Sequence, residues 1–247
     1  MTERDSTPAM LDPVAAYARW ASSYPPHAHN PLMLAEERAM LSCLPADLQG
    51  LRVLDAGCGS GRYMLHALGR GARHVVGADL SPEMLQRAAV ELRNAAASSG
   101  RSTASAAEVL LVRASIAALP VPDQWADLTV CALTIGHLSS LPEALAELRR
   151  VTRRSGTIVC SDFHPAAYAR GERREFSVAG RRYTVSHTPH EPRDWQRACA
   201  ALGLRIARTL EPHLESADLP DARRVDPDAL NMPVALVFEL AVMDCLP

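Results

Sequence analysis

Residues 53–81, "VLDAGCGSGRYMLHALGRGARHVVGADLS", decide the fold. A short apolar run ends in a glycine loop, an amphipathic segment follows over residues 62–70, and a second apolar run closes on Asp79. Strand, turn, helix and strand in that order make a parallel β-α-β unit. Gly57, Gly59 and Gly61 spell G-x-G-x-G, whereas the dinucleotide fingerprint needs its third glycine one place later, where Arg62 stands. Gly57 and Gly59 let the backbone approach a ligand that a Cβ would strike. Asp79 stands at the end of the second strand, the place from which a carboxylate accepts the hydroxyls of a ribose. The loop is therefore expected to hold an adenosine-bearing molecule.

Asp55, at the mouth of the loop, bears on which one. A carboxylate there suits a ligand that carries an ammonium and a sulfonium, and it repels a pyrophosphate. Together with Arg62 in place of the packing glycine, it favours S-adenosylmethionine over NAD. The plainer alternative is an Asp55 that caps the helix over an ordinary glycine turn.

The same rhythm continues along the chain. Ser81, Pro82 and Glu83 open a helix by cap, proline and first-turn acid. Residues 108–114, 126–134 and 156–163 read as strands, with a helix from Pro142 to about Val151 between the last two. A helix over residues 193–202 stops at Gly203, and residues 204–210 and 233–243 add two strands. The expected fold is a Rossmann-like α/β three-layer sandwich with a seven-stranded, mostly parallel sheet, spanning residues 47–247. Residues 163–190 within it read as a polar insertion on the substrate side, with Ala179-Gly180 at the turn of a small hairpin. Residues 1–46 are expected to form an N-terminal helical lid. Within that lid, residues 1–13 look disordered, and a helix over residues 14–22 puts Tyr17, Trp20 and Tyr24 on one face. Pro25-Pro26 breaks the chain, and Asn30 caps a second helix with Pro31 in its first position.

Composition narrows the classes of partner. The 247 residues are 48% hydrophobic with a net charge of −2, so no basic field gathers nucleic acid or an anionic membrane. Every basic residue is arginine, which reads as codon bias in a GC-rich genome. Six scattered cysteines without a C-x-x-C pair read as free thiols in a reducing cytoplasm. The N-terminus is polar and acidic, unlike a signal peptide, and no apolar run approaches the ~20 residues that span a bilayer. A soluble, cytoplasmic monomer or homodimer is expected. His27 and His29 with Asn30 alternate in a proline loop, a pattern that rarely builds a metal site, so no metal is expected.

The motifs resemble those of a known family. "VLDAGCGSGRY" is similar to the first motif of class I S-adenosylmethionine-dependent methyltransferases, "VVGADLSPEML" to their second-strand motif, and "ALPVPDQWADLTVCALTIGHL" to the segment around their fourth strand. "VTRRSGTIVCSDF" is similar to the fifth-strand approach, with Ser155-Gly156 where Gly-Gly is usual. The resemblance covers residues 47–163, nearest in style to small-molecule and ubiquinone- or biotin-pathway members. It implies a donor site bordered by Ala56, Gly57, Cys58, Gly59 and Gly61, with Asp55 at the amine and Asp79 at the ribose. Leu80 and Met84 would flank the adenine. Ser115 and Ile116 stand where the family often has Asp-Ala, so a serine replaces the charged acceptor. Leu133 and Thr134 would line the methyl-transfer face, with Tyr24 in an aromatic lid.

Methyl transfer from a sulfonium is an in-line displacement, helped by positioning, desolvation and removal of a proton from the nucleophile. His137, directly after the fourth strand, is the leading base candidate, or else a structural histidine. His164, two places beyond Asp162, is the second candidate, and Asp162 itself lacks the acidic partners of a magnesium site. His187, in "SHTPHEP" with His190, either closes over substrate or is solvated. Tyr17 and Trp20 either contact substrate or pack. The arginines of "RGERREF" and "GRRY" either hold an acidic substrate or carrier protein or form a solvated face. The expected function is methyl transfer to oxygen or nitrogen of a small molecule. A malonyl-type acyl group on an acyl carrier protein is the alternative acceptor. An NAD-dependent oxidoreductase and a non-catalytic cofactor-binding protein are the readings of other classes. The segment that would take a flipped base is absent.

Overall fold

The computed structural model describes residues 7–98, 107–219 and 230–243. The chain opens with β1 (Ala9–Leu11), α1 (Pro13–Trp20), a 3-10 turn (Ala21–Ser23) and α2 (Pro31–Cys43). Then come β2 (Arg52–Ala56), α3 (Arg62–Gly69), β3 (His74–Asp79), α4 (Pro82–Ser98), β4 (Glu108–Arg113) and β5 (Ala126–Ala132). After α5 (Leu141–Val151) and β6 (Thr152–Phe163) the chain forms α6 (Pro165–Ala169), β7 (Glu175–Val178) and β8 (Arg181–Val185). It finishes with α7 (Pro192–Ala201), β9 (Leu204–Leu210) and β10 (Ala235–Val242).

Seven strands join in the order β4-β3-β2-β5-β6-β10-β9, with β10 antiparallel to both of its neighbours. The expected three-layer sandwich is present. Alternate residues of one strand feed opposite faces, as period-two geometry requires. Leu54, Val76, Ile158 and Phe238 pack with α5 and α7, while Val53, Val75, Val159 and Val237 pack with α2 and α3. Strand order reverses between β2 and β5, and the crevice beyond the carboxyl ends of the strands opens there. The glycine loop after β2 and residues 133–137 after β5 are thereby brought face to face.

The N-terminal segment departs from a helical lid. Residues 9–11, expected to be disordered, form β1, which pairs in parallel with β8 in a second sheet of order β1-β8-β7. Residues 1–6, also expected to be disordered, lie outside the described residues. Rather than covering the site, α2 belongs to a layer of the sandwich, because Met40 and Cys43 are buried against the main sheet. The insertion carries the expected hairpin, with Ala179 and Gly180 at φ +50° and +77°, the left-handed pair that a two-residue turn demands. β6 starts earlier than expected, passing Ser155 at φ +55°. Among the described residues no helix is long and apolar enough to cross a membrane.

Candidate active site

Asp55 lies within β2, in register with Gly77 and Val130 of the flanking strands. It is 2% exposed, and its Oδ2 is buried without a hydrogen-bond partner. Burial pushes its pKa up to about 7. An unpaired carboxylate oxygen in such a place is a strong demand for a cation.

Four of the loop's amides are already committed. Gly57 and Cys58 donate to Ala78 O at 2.7 and 2.9 Å, and Gly61 donates to Cys58 O at 2.8 Å. Gly59 donates to Asp79 Oδ2 at 2.8 Å. A pyrophosphate would need such amides free at the helix N-terminus. With the buried, unpaired Asp55 carboxylate beside them, these residues fit a donor that carries an ammonium better than they fit a pyrophosphate. Asp79 Oδ1 also accepts from Ser81 N at 2.9 Å. Each of its oxygens keeps a further lone pair for a ribose hydroxyl.

Gly57 sits at φ +77°, and a Cβ added there would lie 2.8 Å from Thr134 Cβ. Gly57→Ala is expected to weaken binding of S-adenosylhomocysteine by about thirtyfold or more in calorimetry. Strain in the left-handed region and displacement of Thr134 together supply about 2 kcal/mol.

A cavity of about 220 Å³ runs over this loop. Asp55, Gly57, Cys58, Gly59 and Asp79 line it, as do Leu80, Met84, Ser115 and Ile116. Leu133, Thr134, Tyr24, Tyr17 and His137 close its far end. Ala56 is buried behind the loop, and Gly61 meets Ala88 of α4, whose Cβ stands 3.4 Å from the place a Cβ on Gly61 would take. A second cavity of about 390 Å³ shares Tyr24, Met33, Leu133 and Arg174 with the first, and Trp20 and Phe163 also border it.

At the join, His137 Nδ1 donates to Ser186 O at 3.4 Å, which leaves Nε2 to accept from the Tyr17 hydroxyl at 3.0 Å. Arg174 in turn donates to the Tyr17 oxygen. Burial and the nearby guanidinium hold the His137 pKa well below its ordinary value. Burial also pushes the Tyr24 hydroxyl up to about 12. Tyr17 and Trp20 stack with ring centroids 6.1 Å apart, and Tyr24 meets Trp20 edge-on at 4.8 Å. The aromatic stripe thus both packs and borders the cavities.

Two sequence candidates lie elsewhere. His164 caps α6, its Nδ1 accepting from Ala166 N at 3.1 Å, and it lines neither cavity. The proline at the first position of α6 makes the preceding residue a cap, which turns the ring toward the helix. His187 packs behind the turn at Gly136, 3.6 Å from Asp162, and also lines neither cavity. Arg174 was hidden within a run of charges, and Met33 within a helix that looked self-contained. No periodicity marked either one.

Residues 54–160 match a family described as a methyltransferase domain. The chain is 34% identical, over 68% of its length, to a malonyl-[acyl-carrier protein] O-methyltransferase of Pectobacterium atrosepticum, and it spans 57% of that relative. It thus covers little more than half the length of the curated relatives it matches. In fold it resembles an S-adenosylmethionine dependent methyltransferase from Mesorhizobium loti, with a TM-score of 0.63 at 23% identity over 84% of this chain and 97% of that one. Magnesium protoporphyrin IX methyltransferase from Synechocystis PCC 6803, solved with bound SAH, gives 0.61 at 19% identity over 92% and 94%.

Proposed function

We propose that the chain acts as a class I S-adenosylmethionine-dependent methyltransferase and methylates oxygen or nitrogen of a small-molecule acceptor seated in the second cavity. The observation that carries this reading is the shared wall of the two cavities at Tyr24, Met33, Leu133 and Arg174. An in-line displacement needs donor and acceptor to meet at one such wall. S-adenosylmethionine, when bound, supplies a methyl carbon activated by its sulfonium.

The chain's residues do the rest. Asp55 takes the amine and Asp79 the ribose, while Leu80, Met84 and Ile116 enclose the adenine with Ser115 as a neutral acceptor. Leu133 and Thr134 shape the transfer face. Tyr17 and Trp20 flank the acceptor and exclude water. His137, whose Nε2 receives the Tyr17 hydroxyl, borders the donor cavity and holds that hydroxyl in place.

A second reading keeps the chemistry and hangs the acyl acceptor on a carrier protein. Arg170 and Arg173, which line the second cavity, and the printed activity of the curated relatives favour it. A reducing cytoplasmic location belongs to the same proposal, supported by the unpaired, buried Cys43, Cys58, Cys131, Cys160 and Cys199.

The deciding experiment incubates the protein with labelled S-adenosylmethionine and a small-molecule extract of the source cells. Label is expected in a low-mass product. Label that stays on a carrier protein establishes the second reading instead. No calorimetric heat with S-adenosylhomocysteine, beside clear heat with NAD, overturns both.

A further inference from the structure

Arg174 borders both cavities, on the segment that leads into β7. Its Nη1 donates to the Tyr17 hydroxyl and lies 3.2 Å from Leu133 O and 3.4 Å from His137 Nε2. None of these partners carries a negative charge. The other guanidinium on the donor cavity, Arg62, is matched by Glu36 at 2.9 Å and Glu37 at 3.4 Å. Arg174 has no ion-pair partner among the described residues. Two carboxylates do border the second cavity, but both are exposed, and Glu175 is turned toward Arg182 and Thr184. The buried Asp162 also feels Arg174, but it lies beyond ion-pair distance and burial pushes its carboxyl up to about 7. A guanidinium so weakly countered in a pocket is destabilising, unless the pocket is built to receive an anion.

One side of that cavity is of the opposite character, apart from the charged residues of 170–175. Trp20, Leu32, Met33, Phe163, Met232 and Pro233 line it, and Trp20 is held flat against Phe176 at 4.7 Å. We infer that the accepting group is a carboxylate bound through Arg174, on a molecule whose remaining body is apolar and fills the second cavity. The inference rests on the methyltransferase reading of the same site and names its acceptor class.

The chemistry agrees with the groups present. One carboxylate oxygen attacks the methyl carbon, the carbon–sulfur bond breaks, and its electron pair stays on sulfur. A methyl ester and a neutral thioether result, and no proton has to move. A hydroxyl or protonated amine would need a base. His137, its lone pair occupied by Tyr17 and its basicity reduced by burial and by Arg174, is a weak one. A planar guanidinium matches a carboxylate and orients one oxygen while holding the other. Against apolar walls of this extent, a short carrier-borne diacid would leave most of the surface uncovered.

The test uses the full chain with labelled S-adenosylmethionine and four probes: octanoate, cinnamate, octylamine and malonyl-pantetheine. Base treatment of the products separates esters, which release labelled methanol, from amines, which do not. The expected result is base-labile label from an apolar acid, with KM for that acid raised about thirtyfold in Arg174→Gln and partly restored in Arg174→Lys. Base-stable label from octylamine overturns the inference. So does methylation of malonyl-pantetheine without methylation of either acid, an Arg174→Gln variant as active as the parent, or no label from either acid while S-adenosylhomocysteine binds. Failure of the unaltered protein to bind S-adenosylhomocysteine sinks the methyltransferase reading itself and is scored separately.

Discussion

Asp55→Asn is expected to lower affinity for S-adenosylhomocysteine by about a thousandfold while making the ligand-free protein harder to unfold. The first effect follows from losing the buried carboxylate that meets the amine, since removing one partner of a buried charge pair costs about 2–5 kcal/mol. The second follows from linkage. Burial raises the Asp55 pKa from its ordinary 3.8 to about 7, so the folded protein holds this proton more tightly than the unfolded chain. That penalty is absent at low pH, grows as pH rises from 4 to 7, and is complete above 7. Asparagine never ionises, so the variant gains about 2 kcal/mol at pH 8, after allowance for its own unpaired amide, and gains nothing near pH 4. Thermal melts with and without S-adenosylhomocysteine at both pH values check both signs. In the parent, affinity should climb as pH rises toward 7 and then level off, and binding below pH 7 should release a proton. A variant that is less stable at pH 8, or one that binds as well as the parent, removes Asp55 from the donor site.

Glu36→Ala is expected to lower the melting temperature by about 10 °C. Glu36 is fully buried and accepts from Arg62 at 2.9 Å, the Tyr63 hydroxyl at 3.0 Å and Ser161 Oγ at 2.6 Å. Removing it leaves the buried Arg62 guanidinium with only the longer contact to Glu37 at 3.4 Å and orphans the Tyr63 and Ser161 hydroxyls, at about 3–5 kcal/mol. A domain of this size loses about 2–4 °C per kcal/mol. Because Arg62 also borders the donor cavity, S-adenosylhomocysteine affinity should fall with stability. A double replacement, Glu36→Leu with Arg62→Met, should recover much of the melting temperature, as matched apolar replacements of buried ion pairs do. A single variant that melts within 2 °C of the parent contradicts this account.

These two carboxylates mark the boundary of what the chain discloses as text. Asp55 was legible because it belongs to a local pattern, with strand, loop and Asp79 all within one β-α-β unit. The strands were legible for the same reason, and the hairpin at Ala179-Gly180 announced itself by its turn residues. Glu36 was not, since an acidic residue in "AEERAM" ordinarily faces water. Only the docking of α2 onto α3 and β6 turns it inward. Arg62 read as a missing glycine, whereas the fold uses it as the counter-charge that fastens α2. β1 is three residues long, too short to show any periodicity, and its partner strand β8 lies far along the sequence, with Ala9 facing Tyr183. Arg174 shares its segment with Arg170 and Arg173, and nothing local says which of the three points inward.

β1 also protects its neighbour. With it in place, β8 is the middle member of its sheet, and the row of amides and carbonyls facing β1 is paired. A shortened chain that begins after Leu11 would strip one flank of β8 bare, leaving a free backbone edge able to template pairing between molecules. What composition presents as dispensable leader is, on this fold, a guard against self-association.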